Sequence, residues 1–293
     1  MQISNSALDN ALINRAWIQW VALGVDATGE VDDAVVDPEA LIALTAELGE
    51  TDARLRDVST DWCVAFGRYI NGSRLRTVVS ELGTPVDLIG EFVATVDAAG
   101  GPRWPMGTKP RPGYVSRGKA RLTSAISPAR LLIRLRAAFG VNARADILAA
   151  LLSGRSSEMS LADLARVTRF SKLNISSAVE ALALAGLVDS RSVGNERRVR
   201  LGPADVLPGL QAPVQQTDWV ATFGVALEVL RLQGRGHGPS SVRAIEARRL
   251  VEQLRPRIVS AGLPEPNLAA IGNDFGVAFD RWIVDLVDLL RRG

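Results

Sequence analysis

The residues with the clearest chemical potential are polar or basic and lie between positions 166 and 200. Short polar side chains at Asn174, Ser176 and Ser177 are of the kind that approaches base edges in the major groove of DNA, where asparagine can pair with N6 and N7 of adenine. Ser171, just before them, is a further candidate DNA contact. Basic side chains suited to phosphates stand on both sides of them: Arg166, Arg169 and Lys172 at the start, and Arg191, Arg197, Arg198 and Arg200 beyond. The pattern predicts a contact surface for double-stranded DNA. One alternative is that the serines and arginines form a solvated face. Another is that this part of the chain docks on a protein.

A pair of helices joined by a turn must position the first group. Ser160, followed three residues later by Asp163, resembles a capping box that opens a short helix. After a turn over 168–170, Ser171 caps a second helix, and Gly186 ends it. The apolar residues of this second helix recur at i, i+4 and i+7 and predict a buried side: Ile175, Val179 and Leu182. We therefore expect a recognition helix over residues 171–185.

A β-hairpin over residues 187–201 must position the second group. Two strand-like runs, 187–193 and 196–201, flank Gly194 and Asn195, and glycine in the first turn position suits a two-residue type II′ turn. In the second strand, Val199 and Leu201 would face the core while Arg198 and Arg200 face outward. Asn195, at the tip, joins the candidate DNA contacts. The order helix, short helix, turn, helix and basic hairpin predicts a winged helix-turn-helix, whose wing would reach the DNA backbone or minor groove.

Residues 144–201 also resemble a known family, the ArsR and MarR-type bacterial transcriptional regulators. The resemblance lies in the second helix "LADLAR", in "AVEALALAGLV" at the end of the recognition helix, and in the wing "GNERRVRL". It covers about a fifth of the chain, and it implies a winged-helix, DNA-binding regulator. Because the second and third helices contain no cysteine, the metal sensing of ArsR proteins does not carry over.

Charge is strongly segregated along the chain. Residues 1–100 carry 6 basic and 16 acidic side chains, residues 101–205 carry 18 and 7, and residues 206–293 carry 10 and 9. An acidic segment beside a basic one predicts that the middle of the chain meets a polyanion, while the first part meets something else. The alternative is that the two parts attract each other within one fold.

The fold class is expected to be mainly α, with a multi-helix N-terminal domain, a central winged helix-turn-helix with a two-stranded β-wing, and a C-terminal helical bundle. Residues 1–99 would form an acidic helical domain for sensing or partner binding, and residues 127–205 the winged helix. Residues 206–293 carry a helix over 267–290, whose apolar residues at spacings of three and four would pack within a bundle or against a second subunit in a homodimer.

Residues 100–126 form the fourth segment, a basic Pro/Gly-rich linker or extended arm. Five of its basic side chains could lie along a nucleic-acid backbone or belong to a solvated hinge: Lys109, Arg111, Arg117, Lys119 and Arg121.

Catalytic and metal chemistry is not expected, nor is a cofactor. Cys63 and His237 are the single cysteine and histidine of the chain, so a Cys/His metal cluster and histidine-dependent nucleophilic catalysis lack residues. The loop around His237 lacks a P-loop pattern. Five acidic residues in or beside one loop do not have the spacing of an EF-hand: Asp26, Glu30, Asp32, Asp33 and Asp37.

These observations lead to one main hypothesis, a dimeric, cytoplasmic and nucleoid-associated DNA-binding transcriptional regulator. No membrane segment is expected, because the longest uncharged stretch, 206–217, is shorter than the roughly 18 to 20 residues that a membrane span needs. The alternative hypothesis is an antitoxin or adaptor whose winged helix and acidic N-terminal domain bind a partner protein.

Overall fold

The chain folds into a mainly α-helical structure with one small sheet. A computed structural model describes residues 5–26, 34–122, 127–153, 158–203, 217–234 and 240–292. Within these ranges there are twelve α-helices: α1 Asn5–Ala22, α2 Pro38–Leu48, α3 Ala53–Phe66, α4 Gly72–Leu82, α5 Val86–Ala98, α6 Leu131–Phe139, α7 Ala143–Ser153, α8 Leu161–Thr168, α9 Lys172–Leu184, α10 Trp219–Gly234, α11 Ser240–Ser260 and α12 Asn273–Arg292. The predicted mainly α fold with a winged helix-turn-helix is confirmed.

The helices at the two ends of the chain share one hydrophobic core. Trp20 of α1 and Trp62 of α3 are fully buried, with ring centroids 5.4 Å apart. Phe223 of α10 and Trp282 of α12 belong to the same core. Helix α10 is buried almost all round and packs on α1, α2 and α4 as well as on α11. The C-terminal helices therefore complete the N-terminal helical domain rather than forming a separate bundle.

The winged helix has a second core of its own. Its helices α6–α9 bury Leu148, Leu164, Ile175 and Leu182 against one another, with Val199 from the sheet. The sheet has the order β1-β3-β2 and is antiparallel, with β1 over Glu158–Ser160, β2 over Val188–Val193 and β3 over Glu196–Leu201. β2 and β3 are the predicted hairpin. β1 was not predicted, because three residues give too short a pattern to distinguish a strand from the lead into a capping box.

The Pro/Gly-rich segment packs on the helical domain along residues 102–122. Trp104 is buried, and a Cβ atom at Gly67 would lie 2.7 Å from Cγ of Pro102, so the packing there requires glycine. Arg111 Nη2 lies 2.8 Å from Asp57 Oδ1. Arg111 therefore belongs neither to a solvated hinge nor to an arm free to lie along nucleic acid, because Asp57 of α3 and the buried Trp104 hold the segment against the helical domain.

Two other expectations differ from the structure or lie outside it. α12 begins at Asn273 rather than near 267, because Gly272 adopts a left-handed φ of 58° that interrupts a helix, and Ile271 is exposed. Glu30, Asp32, Asp33 and His237 lie outside the described residues. Among the helices that the structure describes, none combines the length and apolar character needed to traverse a bilayer.

Candidate nucleic-acid interface

Reciprocal capping fixes the short helix that leads to α9. The backbone N–H of Asp163 donates to Ser160 Oγ at 3.0 Å, and the Ser160 hydroxyl donates to Asp163 Oδ2 at 2.8 Å. Together with a hydrogen bond between the Ser160 backbone and the Asp163 carboxylate, these contacts form the predicted capping box. The hydrogen bond from Ser160 is the main reason why the pKa of Asp163 is lowered, and Arg166 adds to the effect. The box sets the direction of α8, and with it the position of the turn before α9.

Helix α9 presents a polar, solvent-accessible side opposite its buried one. The Ser171 hydroxyl oxygen caps the helix by accepting the N–H of Asn174 at 3.2 Å. Lys172, Asn174 and Ser177 are exposed, while Ser176 is half-buried and contacts Glu180 at 3.3 Å. The acidic N-terminal helices leave these side chains uncovered, so the side of α9 that was expected to face bases is open to a ligand.

Two apolar side chains interrupt this polar side. Leu173 is 76% and Leu184 92% exposed. They are eleven residues apart, and at about 100° per residue they project from the same face of α9. The apolar spacing of Ile175, Val179 and Leu182 predicts only the buried side of α9 and not this exposed pair.

The arginines of the wing project from the sheet, and each is paired with an acidic side chain. Arg191 Nε lies 2.8 Å from Glu158, and Arg200 Nη2 lies 2.9 Å from Asp189. The two nearer the tip have partners too: Arg197 lies 3.4 Å from Glu180, and Arg198 3.0 Å from Glu196. The hydrogen bond from Arg191 lowers the pKa of Glu158. The net charge of the wing is therefore closer to neutral than its arginine content predicts. Asn195, in the turn between β2 and β3, is exposed.

The two arginines before α9 have different surroundings. Arg166 is exposed, with its guanidinium 3.3 Å from the Ser260 hydroxyl and 3.5 Å from Asp163. Arg169 has a side chain only 9% exposed, which lies 2.8 Å from Asp218 and 3.4 Å from Glu81. Arg169 therefore lacks the accessible charge expected of a phosphate contact. Glu81 of α4 and Asp218, just before α10, already neutralise its guanidinium group.

A buried ion network joins the winged helix to the helical domain. Arg74 of α4 contacts Asp37 at 2.6 Å and Glu39 at 2.6 Å, and Arg136 of α6 contacts Glu39 at 2.6 Å and Asp146 at 2.9 Å. Burial disfavours the charged forms, but the carboxylates outweigh it and raise the pKa of both guanidinium groups.

The carboxyl groups of the same network respond in opposite directions. Burial would raise the pKa of Asp37, but Arg74 overcomes it and holds that pKa well below its usual range. For Asp146, burial prevails over Arg136 and Arg74 and raises the pKa. The sequence predicts an acidic first domain for sensing or partner binding, but one of its carboxylates, Glu39, is completely buried in this network.

Reactive groups are scarce in the part of the chain that the structure describes. Cys63 is buried in the helical core, and burial raises the pKa of its thiol well above the usual value, which disfavours the nucleophilic thiolate. Among the described residues, no group of three His, Cys, Asp or Glu side chains is arranged to hold a metal ion.

Comparisons of the chain with protein-family models, with curated proteins and with solved structures found no match.

Proposed function

We propose that the protein is a sequence-specific, double-stranded DNA-binding transcriptional regulator. The observation that carries this proposal is the exposed polar side of α9, with Lys172, Asn174 and Ser177 accessible to a ligand, standing beside a wing that bears four arginines. A helix of this kind fits the major groove, and an adjacent hairpin reaches the backbone or minor groove.

The ion pairs of the wing are compatible with this function. They lie at the surface, where a salt bridge contributes only about 0 to 1 kcal/mol. A phosphate can therefore replace a glutamate or aspartate as the partner of an arginine at little cost, with release of counterions from the DNA as an additional driving force. The wing then acts as a set of exchangeable cations.

Reversal of two wing charges tests the proposal. The variant Arg197→Glu with Arg198→Glu should bind a labelled duplex at least about tenfold more weakly than the wild type, and the salt dependence of its binding should be shallower. The readout is fluorescence anisotropy at two salt concentrations. Equal binding by the variant and the wild type at moderate salt would contradict the proposal.

The matched control is Arg255→Glu with Arg291→Glu, which changes the net charge equally. Both arginines are exposed and ion-paired on α11 and α12, Arg255 with Glu265 at 3.0 Å and Arg291 with Asp288 at 3.8 Å. We expect this control to bind DNA like the wild type. Circular dichroism of both variants would verify that they fold.

We also propose a homodimer, in which two winged helices would read half-sites about one helical turn apart. The helical domain has exposed apolar side chains that a second subunit could cover: Val242, Ile245, Ile271 and Val277. Light scattering of the purified protein tests this, and a monomer at the concentrations that bind DNA would contradict it.

A protein partner is the second candidate function, favoured by the exposed Leu173 and Leu184 on α9. An antitoxin or adaptor would cover both leucines on binding. Replacing both by serine would then abolish the protein complex, whereas a DNA-reading α9 would retain its duplex affinity within a few-fold.

A further inference from the structure

A polar groove of about 630 Å³ runs between α4 of the helical domain and the recognition helix α9. Ser73 and Thr77, four residues apart, present hydroxyl groups from the α4 wall, and Asn174 and Ser177 line the α9 wall. All four side chains are exposed. The Thr77 hydroxyl donates to the Ser73 carbonyl oxygen at 3.3 Å. The groove therefore places polar side chains from two different domains opposite each other.

The groove differs in charge from the rest of the winged-helix surface. None of the described residues that line it is acidic, and Arg144, at the start of α7, stands on its wall. The Arg144 guanidinium is exposed and contacts the Asn142 side-chain oxygen at 3.2 Å, and none of the described residues that line the groove offers it a carboxylate. Lys172, the first residue of α9, is likewise exposed. The wing arginines, by contrast, each face an acid.

We propose that this groove seats one sugar-phosphate strand of the duplex, so that α4 of the helical domain contacts DNA alongside α9. This inference rests on the proposed DNA-binding function. The Ser73 and Thr77 hydroxyl groups and the Arg144 guanidinium match a phosphate backbone, which is contacted by such groups irrespective of sequence. Asn174 and Ser177, on the opposite wall, remain available to the base edges. With α9 in the major groove, the strand bordering that groove passes between α9 and α4.

The proposal assigns the phosphate contacts to residues that the sequence pattern did not select. Ser73 and Thr77 lie about 100 residues before α9, and Arg144 precedes the capping box. Because the ion network of Arg74 and Arg136 fixes the helical domain against the winged helix, the width of the groove is set before DNA arrives. This preorganisation reduces the entropy lost on binding.

Two sets of variants test the groove with a mixed-sequence labelled duplex as the probe. Arg144→Ala should weaken binding about tenfold and reduce the slope of log affinity against log salt by about one. Ser73→Glu with Thr77→Glu, which places two carboxylates in the groove, should weaken binding further. All three substituted positions are exposed, so the variants should keep the wild-type thermal unfolding midpoint.

The control that matches Arg144→Ala in net charge is Thr51→Glu, an exposed position just beyond the end of α2 that is remote from the Asp37 end of that helix. It should bind like the wild type. If the wild type binds the duplex but the groove variants bind as tightly as Thr51→Glu, the groove proposal is overturned while the regulator proposal stands. If the wild type itself does not bind duplex DNA, both are overturned.

Discussion

Arg136 and Glu39, 97 residues apart in sequence, form a bidentate ion pair with Nη1–Oε1 at 2.6 Å and Nη2–Oε2 at 3.1 Å. Both side chains are inaccessible to solvent. Glu39 is the second residue of α2 in the helical domain and Arg136 belongs to α6 of the winged helix, so the pair crosses the junction between the two cores. Such planar pairs with two hydrogen bonds fix orientation as well as distance, and this one holds α6 of the winged helix in a defined position relative to α2 of the helical domain.

Removing the arginine of this pair should destabilise the fold severely. Arg136→Met leaves Glu39 and Asp146 buried with only Arg74 to compensate them, and breaking a buried pair in this way costs about 3 to 5 kcal/mol. Urea unfolding followed by circular dichroism measures the loss. Arg134→Met, two residues earlier and without an ion pair in the described part of the chain, should change the free energy of unfolding by about 0.5 kcal/mol or less. Equal losses in the two variants would contradict a structural role for the network.

Stability should fall in acid because of Asp37. Its pKa in the folded protein lies below the ordinary value of 3.8, so the folded state binds its proton less readily than the unfolded state does. The stabilisation is therefore complete at pH values above the unfolded pKa and is lost as the pH falls toward the folded one. Asp37→Asn, which keeps an N-cap residue, should show a smaller drop in unfolding free energy between neutral and acidic pH. Identical pH profiles would contradict the assignment.

Arg169 should prove to be a structural residue with a strained backbone. Its φ of 61° lies in the left-handed region and is the single such value at a non-glycine residue in the described segments. Arg169→Ala and Arg169→Gly both lose the contacts with Asp218 and Glu81, but only glycine relieves the strain, which costs roughly 1 to 2 kcal/mol in other residues. We expect the glycine variant to be the more stable by thermal unfolding. An alanine variant of equal or higher stability would refute this account.

The helices and the hairpin of the winged helix could be predicted from the sequence, because helix caps and tight turns depend on residues only a few positions apart. Ser160 with Asp163, Ser171 and the Gly194–Asn195 turn marked the helix-turn-helix and the wing within one or two residues. Long-range pairing had no such signal. Arg166 and Arg169 look alike in sequence, yet only Arg169 meets a carboxylate 49 residues away, at Asp218.

The docked segment shows a second limit of sequence reasoning. A composition rich in proline, glycine and basic residues is equally typical of a solvated linker and of an extended segment that packs on a domain. Trp104 and Tyr114 were the residues that could have distinguished them, because a buried tryptophan is not expected in a hinge. Tyr114 indeed donates its hydroxyl to Asp61 at 2.7 Å, and burial together with that carboxylate raises its pKa.

The most direct test of the central claim, that α9 reads base edges, is selection of duplexes from a random-sequence library by the purified protein. We expect the wild type to enrich one recurring sequence, and Asn174→Ala to relax the preference at particular base pairs while retaining overall affinity. Recovery of duplexes without any enriched sequence, or the same enriched sequence with both proteins, would contradict base readout by Asn174.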